Sequence, residues 1–355
     1  MAMAVVSTTF PLIWIGGLVT TTKSGMAVYD WPNTYGDNLF LYPLDIWING
    51  PWDIFIEHGH RLWGSLVGVA TIALVLAVWA RDDRRWLFWA ALAALAAVIF
   101  QGLLGGMRVR LNEVLLARIH GCFGPLFFAL ATAIAVFTSR FWRNVDRRSD
   151  STDVPPLKNH STAPANLFGL ALLTATLAYA QLTLGSLLRH VPAGAGPSGF
   201  RLAVWAHVLM ALVVAGMIFS LAWRVWRGRR DDWVSRSEEG AGPLVRPAGA
   251  LAALVAAQLA LGVGAWVTKY NWPDWLVQLT GVGLSTAPLA GAGWSDGMTV
   301  LAGSRMHAWI TTGHVAVGSL ILATAVMLAL RLGRLAFAPT QGHLTSSTRA
   351  LEVAA

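Results

Sequence analysis

The chain has a single cysteine, Cys122, so an intramolecular disulfide is excluded and its loops must hold their shape without one. Cys122 follows a histidine by two residues and reads as a packed free thiol, with a ligand as the alternative. Charge is also scarce. Asp, Glu, Lys and Arg make up 12% of the 355 residues against 55% hydrophobic ones, and the mean hydropathy is +0.56. That balance excludes an ordinary soluble globular domain. From Leu62 to Ala80, 19 positions hold no Asp, Glu, Lys or Arg. Similar runs recur, each near the roughly 20 residues that cross a bilayer as a helix. Eight are read, at about 4–22, 61–80, 86–107, 119–139, 166–188, 202–223, 247–268 and 306–330. The expected fold class is all-α, a polytopic membrane protein. The first stretch lacks the basic n-region of a cleaved signal and is expected to be retained.

The net charge of +8 suggests nucleic acid only until its distribution is considered. With a cytoplasmic amino terminus, segments 81–85, 139–165, 224–246 and the tail after 330 hold 3, 5, 6 and 3 Lys/Arg, 17 of the 26. This is the positive-inside bias, and it puts both termini in the cytoplasm. No nucleic-acid partner is expected; the bilayer is.

Repetition organises the chain. The third, fifth and seventh spans end in one phrase: Gln101-Gly-Leu-Leu-Gly105, Gln181-Leu-Thr-Leu-Gly185 and Gln258-Leu-Ala-Leu-Gly262. The first carries a weaker version, Ile15-Gly16-Gly17. Each even-numbered span has a histidine near its outer end, His60, His120, His207 or His314, with Gly64, Gly124, Ala211 or Gly318 one turn further in. These features predict two pseudo-symmetric four-helix bundles, residues 1–139 and 166–332. A cytoplasmic linker, 140–165, divides them and a cytoplasmic tail, 333–355, follows.

A histidine one turn from a small residue projects into a bundle and leaves room for something flat beside the helix. Two imidazoles from facing helices are what a bis-histidine haem iron requires. Four such histidines predict two haem sites toward the outer face, with His60, His120, His207 and His314 as iron ligands. Arg61, Arg118, Arg189, Arg201 and Arg305 are candidates for the propionates. The alternative for each histidine is a hydrogen bond to a neighbouring helix's carbonyl. His307 lies two turns before His314 on much the same face and is an alternative ligand or propionate contact.

The repeat breaks at Glu57-His58-Gly59-His60-Arg61, where the second span begins. Three residues before the four histidines stand Glu57, Ala117, Val204 and Thr311, so only the first has a carboxylate. An acid beside a haem edge can move protons or stabilise developing positive charge. A Glu57–Arg61 pair closing the helix entrance is the structural alternative, and the two roles can coexist. His58 points off the His60 face and reads as a surface or hydrogen-bonding group. Loop 26–56 is crowded with aromatic residues, as is loop 270–304 with Trp272, Trp275 and Trp294; each is either a lid or an interface belt.

Residues 16–32, Gly-Gly-Leu-Val-Thr-Thr-Thr-Lys-Ser-Gly-Met-Ala-Val-Tyr-Asp-Trp-Pro, with Tyr35-Gly36 beyond, resemble the first loop of the haem A synthase family of cytochrome-oxidase assembly proteins. Glu57-His58-Gly59-His60-Arg61 is similar to that family's Glu-x-x-His-Arg signature. The resemblance implies an enzyme, a haem-modifying membrane oxidoreductase that oxidises a ring methyl of haem O to the formyl group of haem A. By position it implies His60 and His120 around the substrate haem, with Glu57 as the catalytic acid, and His207 and His314 on a haem b cofactor. It also implies the inner membrane as location and haem O and haem A as partners, with a haem O synthase, an electron donor and a homo-oligomer as further candidates. The chain departs from the family at Thr20 and Val315, where many relatives carry Arg, and in lacking the outer cysteine pair of some branches. Two other classes compete: a quinol-linked di-haem electron-transfer cytochrome, which gives Glu57 no role, and a transporter. The transporter ranks last, because the polar groups sit at helix ends and no broken helix is apparent.

Overall fold

The computed structural model describes residues 1–149, 163–190, 196–230, 241–286 and 298–337. Pro155-Pro156 of the expected linker, Trp294, His160 and His343 lie outside the described residues. Within them are α1 (Ala2–Thr21), α2 (Leu44–Asn49), α3 (Trp52–Arg81), α4 (Arg85–Leu111), α5 (Val114–Phe137) and α6 (Arg140–Ser149). α7 (Ala163–Arg189), α8 (Pro197–Arg227), α9 (Gly242–Tyr270), α10 (Asp274–Thr280) and α11 (Arg305–Ala336) follow. Among the described residues there is no strand; isolated bridges at Thr34–Asp37 and Thr286–Thr299 fasten the two long loops.

Eight of these helices are long and apolar enough to span a membrane, which makes the chain an all-α multi-pass membrane protein. They coincide with the eight runs expected from sequence, but several are longer. α3 begins at Trp52 rather than 61, so Glu57 to Arg61 sit inside a helix instead of at its mouth. Thirty residues at about 1.5 Å each make α3 longer than a hydrocarbon core of about 30 Å is thick. Asp53 in its first turn favours that start by complementing the helix dipole. α4 ends on Asn112 in the left-handed region, φ 51°, a conformation Asn tolerates at helix ends. α11 starts at Ser304, whose hydroxyl accepts the His307 backbone N–H, and runs to Ala336, beyond the expected end. The expected linker opens with helix α6.

Packing is by neighbours. α1 packs on α3, α3 on α4, α4 on α5 and α5 back on α1; likewise α7 on α8, α8 on α9, α9 on α11 and α11 on α7. α11 also packs on α1 and α5. The two larger apolar cores lie away from the histidines, while a small cluster of Leu18, Val19 and Ile56 joins α1 to the start of α3. Val67, Leu74, Leu87, Ala91, Ala94, Ala131 and Ile134 form one. Ala171, Ala175, Ile218, Leu251, Ala325, Leu328 and Leu332 form the other, with Phe141 and Val145 of α6 docked against it. Alanines are frequent in both because small side chains let helix backbones approach where lipid offers no hydrophobic drive. The opposite face of α3, Leu66, Val69, Ile72, Leu76 and Trp79, is exposed, as a lipid-facing stripe should be. Both cores close one end of the helices and leave the other to polar side chains.

Candidate functional site

At that polar end the four repeat histidines meet in twos. The rings of His60 (α3) and His120 (α5) have centroids 6.4 Å apart, and those of His207 (α8) and His314 (α11) 6.3 Å. Two imidazoles on opposite sides of one iron, each nitrogen about 2.0 Å from it, have centroids about 6.3 Å apart. Both observed separations match that figure. Among the described residues no group of three or more His, Cys, Asp or Glu is placed to hold an ion. A porphyrin iron does not need one, because the macrocycle supplies the other four nitrogens.

Each ring rests on a glycine of the preceding span's phrase, the last residue in three of them and Gly16, one before the last, in the first. A Cβ on Gly16 would stand 2.8 Å from His60 Cε1, on Gly105 3.1 Å from His120 Cε1, on Gly185 3.1 Å from His207 Cε1 and on Gly262 3.0 Å from His314 Cε1. The repeated phrase is thus a shelf for the next span's imidazole. Gly16→Ala, the tightest of the four, is expected to cost about 1–3 kcal/mol as an overpacked contact, more than Gly105→Ala or Gly262→Ala. Thermal unfolding of the three variants in detergent checks the order.

The glutamine opening each phrase holds the histidine's helix. Gln101 Nε2 donates to the His120 carbonyl at 2.9 Å, and Gln181 Nε2 to that of His207 at 3.0 Å. The His120 and His314 Nδ1 atoms lie 3.2 and 3.1 Å from the carbonyls of Gln101 and Gln258. With the proton on Nδ1, the Nε2 lone pair of His120 is free for a metal, while that of His314 faces Gln258 Nε2 at 3.5 Å. His60 and His207 have buried Nδ1 atoms without a partner. The His207 ring is held instead through Nε2, 3.3 Å from Gln181 Nε2, so among the described residues only the His60 ring of these four has no hydrogen-bond partner. The small residues one turn inward act differently from one another: Gly64 faces open space, whereas a Cβ on Gly124 or Gly318 would meet the amide of Gln101 or Gln258 at 3.4 or 3.2 Å. Two of the four clear a path for a glutamine rather than for a flat ligand.

Among the described residues only the first pair has an acid beside it, and that acid is engaged. Glu57, 3% exposed, accepts the Val28 backbone N–H at 2.9 Å on Oε2 and Arg61 Nη2 at 3.0 Å on Oε1. Arg61 also donates to the carbonyls of Val28 at 2.8 Å, Asp30 at 2.7 Å and Asn33 at 2.9 Å. Its four Nη hydrogens are all directed at protein acceptors. Asp30 in turn accepts the Tyr35 and Gly36 N–H groups. His58 is buried, with Nδ1 3.0 Å from the Thr34 hydroxyl and its ring flanked by Tyr42 and Trp47. It is a hydrogen-bonding group rather than a surface one. On the far side, the Trp31 indole lies on Gly106 and the Arg108 guanidinium on Gly25, both too close to admit a Cβ. Loop 22–42 is therefore clamped between α3 and α4 beside the first pair.

The described surround of the second pair comes from α9, α11 and the loop between them. His307 is turned to Thr268, its Nδ1 2.9 Å from that hydroxyl, while the Thr299 hydroxyl bonds the Thr268 carbonyl. Asn271 bridges Leu284 through both its carboxamide atoms. Arg118 Nε donates to the His190 carbonyl, and Arg189 Nη2 donates to the Gly17 carbonyl at 2.6 Å and to the Thr21 hydroxyl. Burial first, then the neighbouring Arg189, Arg108 and Arg118, pushes the His190 imidazole down to about 4, so it is neutral at physiological pH. Reasoning from sequence missed the histidine-binding role of Gln101, Gln181 and Gln258, although their repetition was the signal. It also missed Arg108, which had none.

Comparison with known proteins gives two matches. Residues 51–201 match the cytochrome oxidase assembly protein family, a stretch with His60 and His120 but not His207 or His314. The chain is also similar to the Heme A synthase of Shouchella clausii, 29% identical over 194 residues, 53% of this chain and 57% of that relative. The match thus spans little more than half the length of the relative. No solved structure matches.

Proposed function

We propose, on the premise that both comparisons support the haem A synthase family, that this chain oxidises the ring methyl of haem O to the formyl group of haem A. With water as the oxygen donor, the methyl carbon loses two hydrogens and gains one oxygen while four protons and four electrons leave, the electrons passing to an acceptor outside the chain. The observation that carries the reading is the asymmetry of two histidine pairs, both with ring centroids at an iron-spanning separation and, among the described residues, only one beside a buried carboxylate.

In this reading residues 1–139 form the substrate bundle and 166–332 the cofactor bundle. His60 and His120 would hold haem O between them, and the clamped loop 22–42 would keep water from that side. Glu57 takes the proton released as the methyl is oxidised, or balances the positive charge that develops there, at a carboxylate held by Val28 and Arg61. His207 and His314 hold haem b, which when bound supplies a one-electron carrier. Their Gln258 and Gly262 contacts orient one ring of that pair. Arg61 serves mainly by tying the loop to α3. The protein sits in the inner membrane with both termini cytoplasmic and both haem sites toward the outer face, as its Lys/Arg distribution favours.

One observation favours a second reading. Both Glu57 oxygens already have protein partners, so a structural Glu57 within a di-haem electron-transfer cytochrome is the competitor. Expression with and without a haem O supplier, followed by pigment extraction and chromatography, tests the choice. Haem A is expected only where haem O is supplied together with this chain. Bound haem O that is never converted would favour the cytochrome.

A further inference from the structure

Arginines crowd the first histidine pair, and most are already committed. Arg61 spends its four Nη hydrogens on Glu57 and three loop carbonyls. Arg118 donates to the His190 carbonyl. Arg189 reaches Gly17 and Thr21 of α1. Arg108 differs from these. It is half-buried in the last turn of α4, and among the described residues it has no hydrogen-bond or ion-pair partner. Its nitrogens are not among the unpartnered buried atoms sealed from solvent, so a ligand can reach them.

The position of Arg108 is set by its own helix. Gly105 carries the His120 ring and Gly106 the Trp31 indole. Arg108 comes three residues after Gly105, about 4.5 Å further toward the helix end. Its guanidinium is pressed against Gly25 of the loop and is close enough to His60, His120, Glu57, Arg61 and Arg189 for the charges to interact. The one carboxylate in that group, Glu57, is already paired with Arg61 at 3.0 Å. Arg108 thus contributes a positive charge with no counter-ion, in a place where an uncompensated buried charge is costly. A planar fork with free N–H groups suits a carboxylate, which it can take through two parallel bonds.

We propose that Arg108 binds a propionate carboxylate of the haem held between His60 and His120, and so decides which way round the macrocycle enters. This rests on the proposed function, since it needs a porphyrin carboxylate at the first pair. A macrocycle fixed at one propionate presents one edge to Glu57 and keeps the others away.

The test uses purified full-length protein in detergent, titrated with haem O and separately with haem O whose two propionates are methyl esters, and followed by absorbance. Arg108→Gln is expected to weaken haem O binding at least tenfold and to leave ester binding equal to wild type. Arg108→Lys, which keeps the charge but loses the fork, is expected to fall between. The assignment is overturned if Arg108→Gln binds haem O as tightly as wild type does. It is equally overturned if haem O and its ester are lost together, because that pattern means Arg108 supports the loop through Gly25. Wild-type protein that binds neither compound at the first pair would remove the proposed function, and this assignment with it.

Discussion

Glu57→Gln is expected to lower conversion of haem O by about a hundredfold or more, the range of a lost general acid or base, while the protein keeps its bound haem. Glutamine is the informative replacement because it preserves shape. Its carbonyl oxygen can still accept the Val28 N–H that Glu57 accepts at 2.9 Å. Arg61 keeps its bonds to the carbonyls of Val28, Asp30 and Asn33, so the loop remains attached to α3. The ionic partner at 3.0 Å is lost. For a charge-assisted hydrogen bond the expected stability loss is about 1.5–3 kcal/mol. Chromatography of extracted pigments and a thermal unfolding curve, measured on the same preparation, separate the two effects. A variant that is less stable but converts haem O at the wild-type rate would make Glu57 a loop anchor and return the protein to the di-haem cytochrome reading. Arg61→Gln is the useful contrast. It breaks four contacts at once and is expected to act through the loop.

The two roles of Glu57 explain why sequence reading reached part of this site and stopped. Spacing alone gives the i to i+4 pair with Arg61, since such neighbours share a helix face. It does not give Val28, 29 residues away in the chain. The eight spans are legible because charge is excluded from lipid and the excluded stretches are long. Hydropathy marks where a chain lies in hydrocarbon, however, not where its helix ends. Residues 52–60, with their acids and histidines, therefore read as loop although they form the first turns of α3. The same limit hid α6, whose Phe141 and Val145 pack among apolar residues of the later helices.

Repetition was more informative than any single motif, though not about its own cause. The Gln-x-x-x-Gly phrase was visible three times. Its purpose depends on a ring from the next helix lying on each glycine, a contact made only by the tertiary fold. The small residue one turn inward from each histidine was read as room for a flat ligand. At Gly124 and Gly318 that room faces a glutamine amide, and only Gly64 keeps open space. The arginines were judged by their place near helix ends. Charge near an end says nothing about the carbonyls that occupy it, which is why Arg61, Arg118 and Arg189 looked available and Arg108 went unnoticed.

His314→Ala is expected to remove the haem of the second pair, seen as loss of the low-spin reduced-minus-oxidised spectrum and of haem b on extraction. His307→Ala is expected to retain both. The two residues are seven apart, about 10.5 Å along one helix, too far for both to serve one iron. Only His314 has its ring centroid 6.3 Å from that of His207, and only it rests on Gly262 with Nδ1 at the Gln258 carbonyl. His307 is held instead by the Thr268 hydroxyl at 2.9 Å, and its backbone N–H belongs to the Ser304 cap. Alanine there leaves the Thr268 hydroxyl without that partner, so the expected cost is about 1 kcal/mol of stability with the spectrum unchanged. Loss of the low-spin signal in His307→Ala with retention in His314→Ala would move the second site two turns along α11. The 6.3 Å separation of His207 and His314 would then be packing, and the equivalence of the two pairs, from which the asymmetry of Glu57 takes its meaning, would be gone.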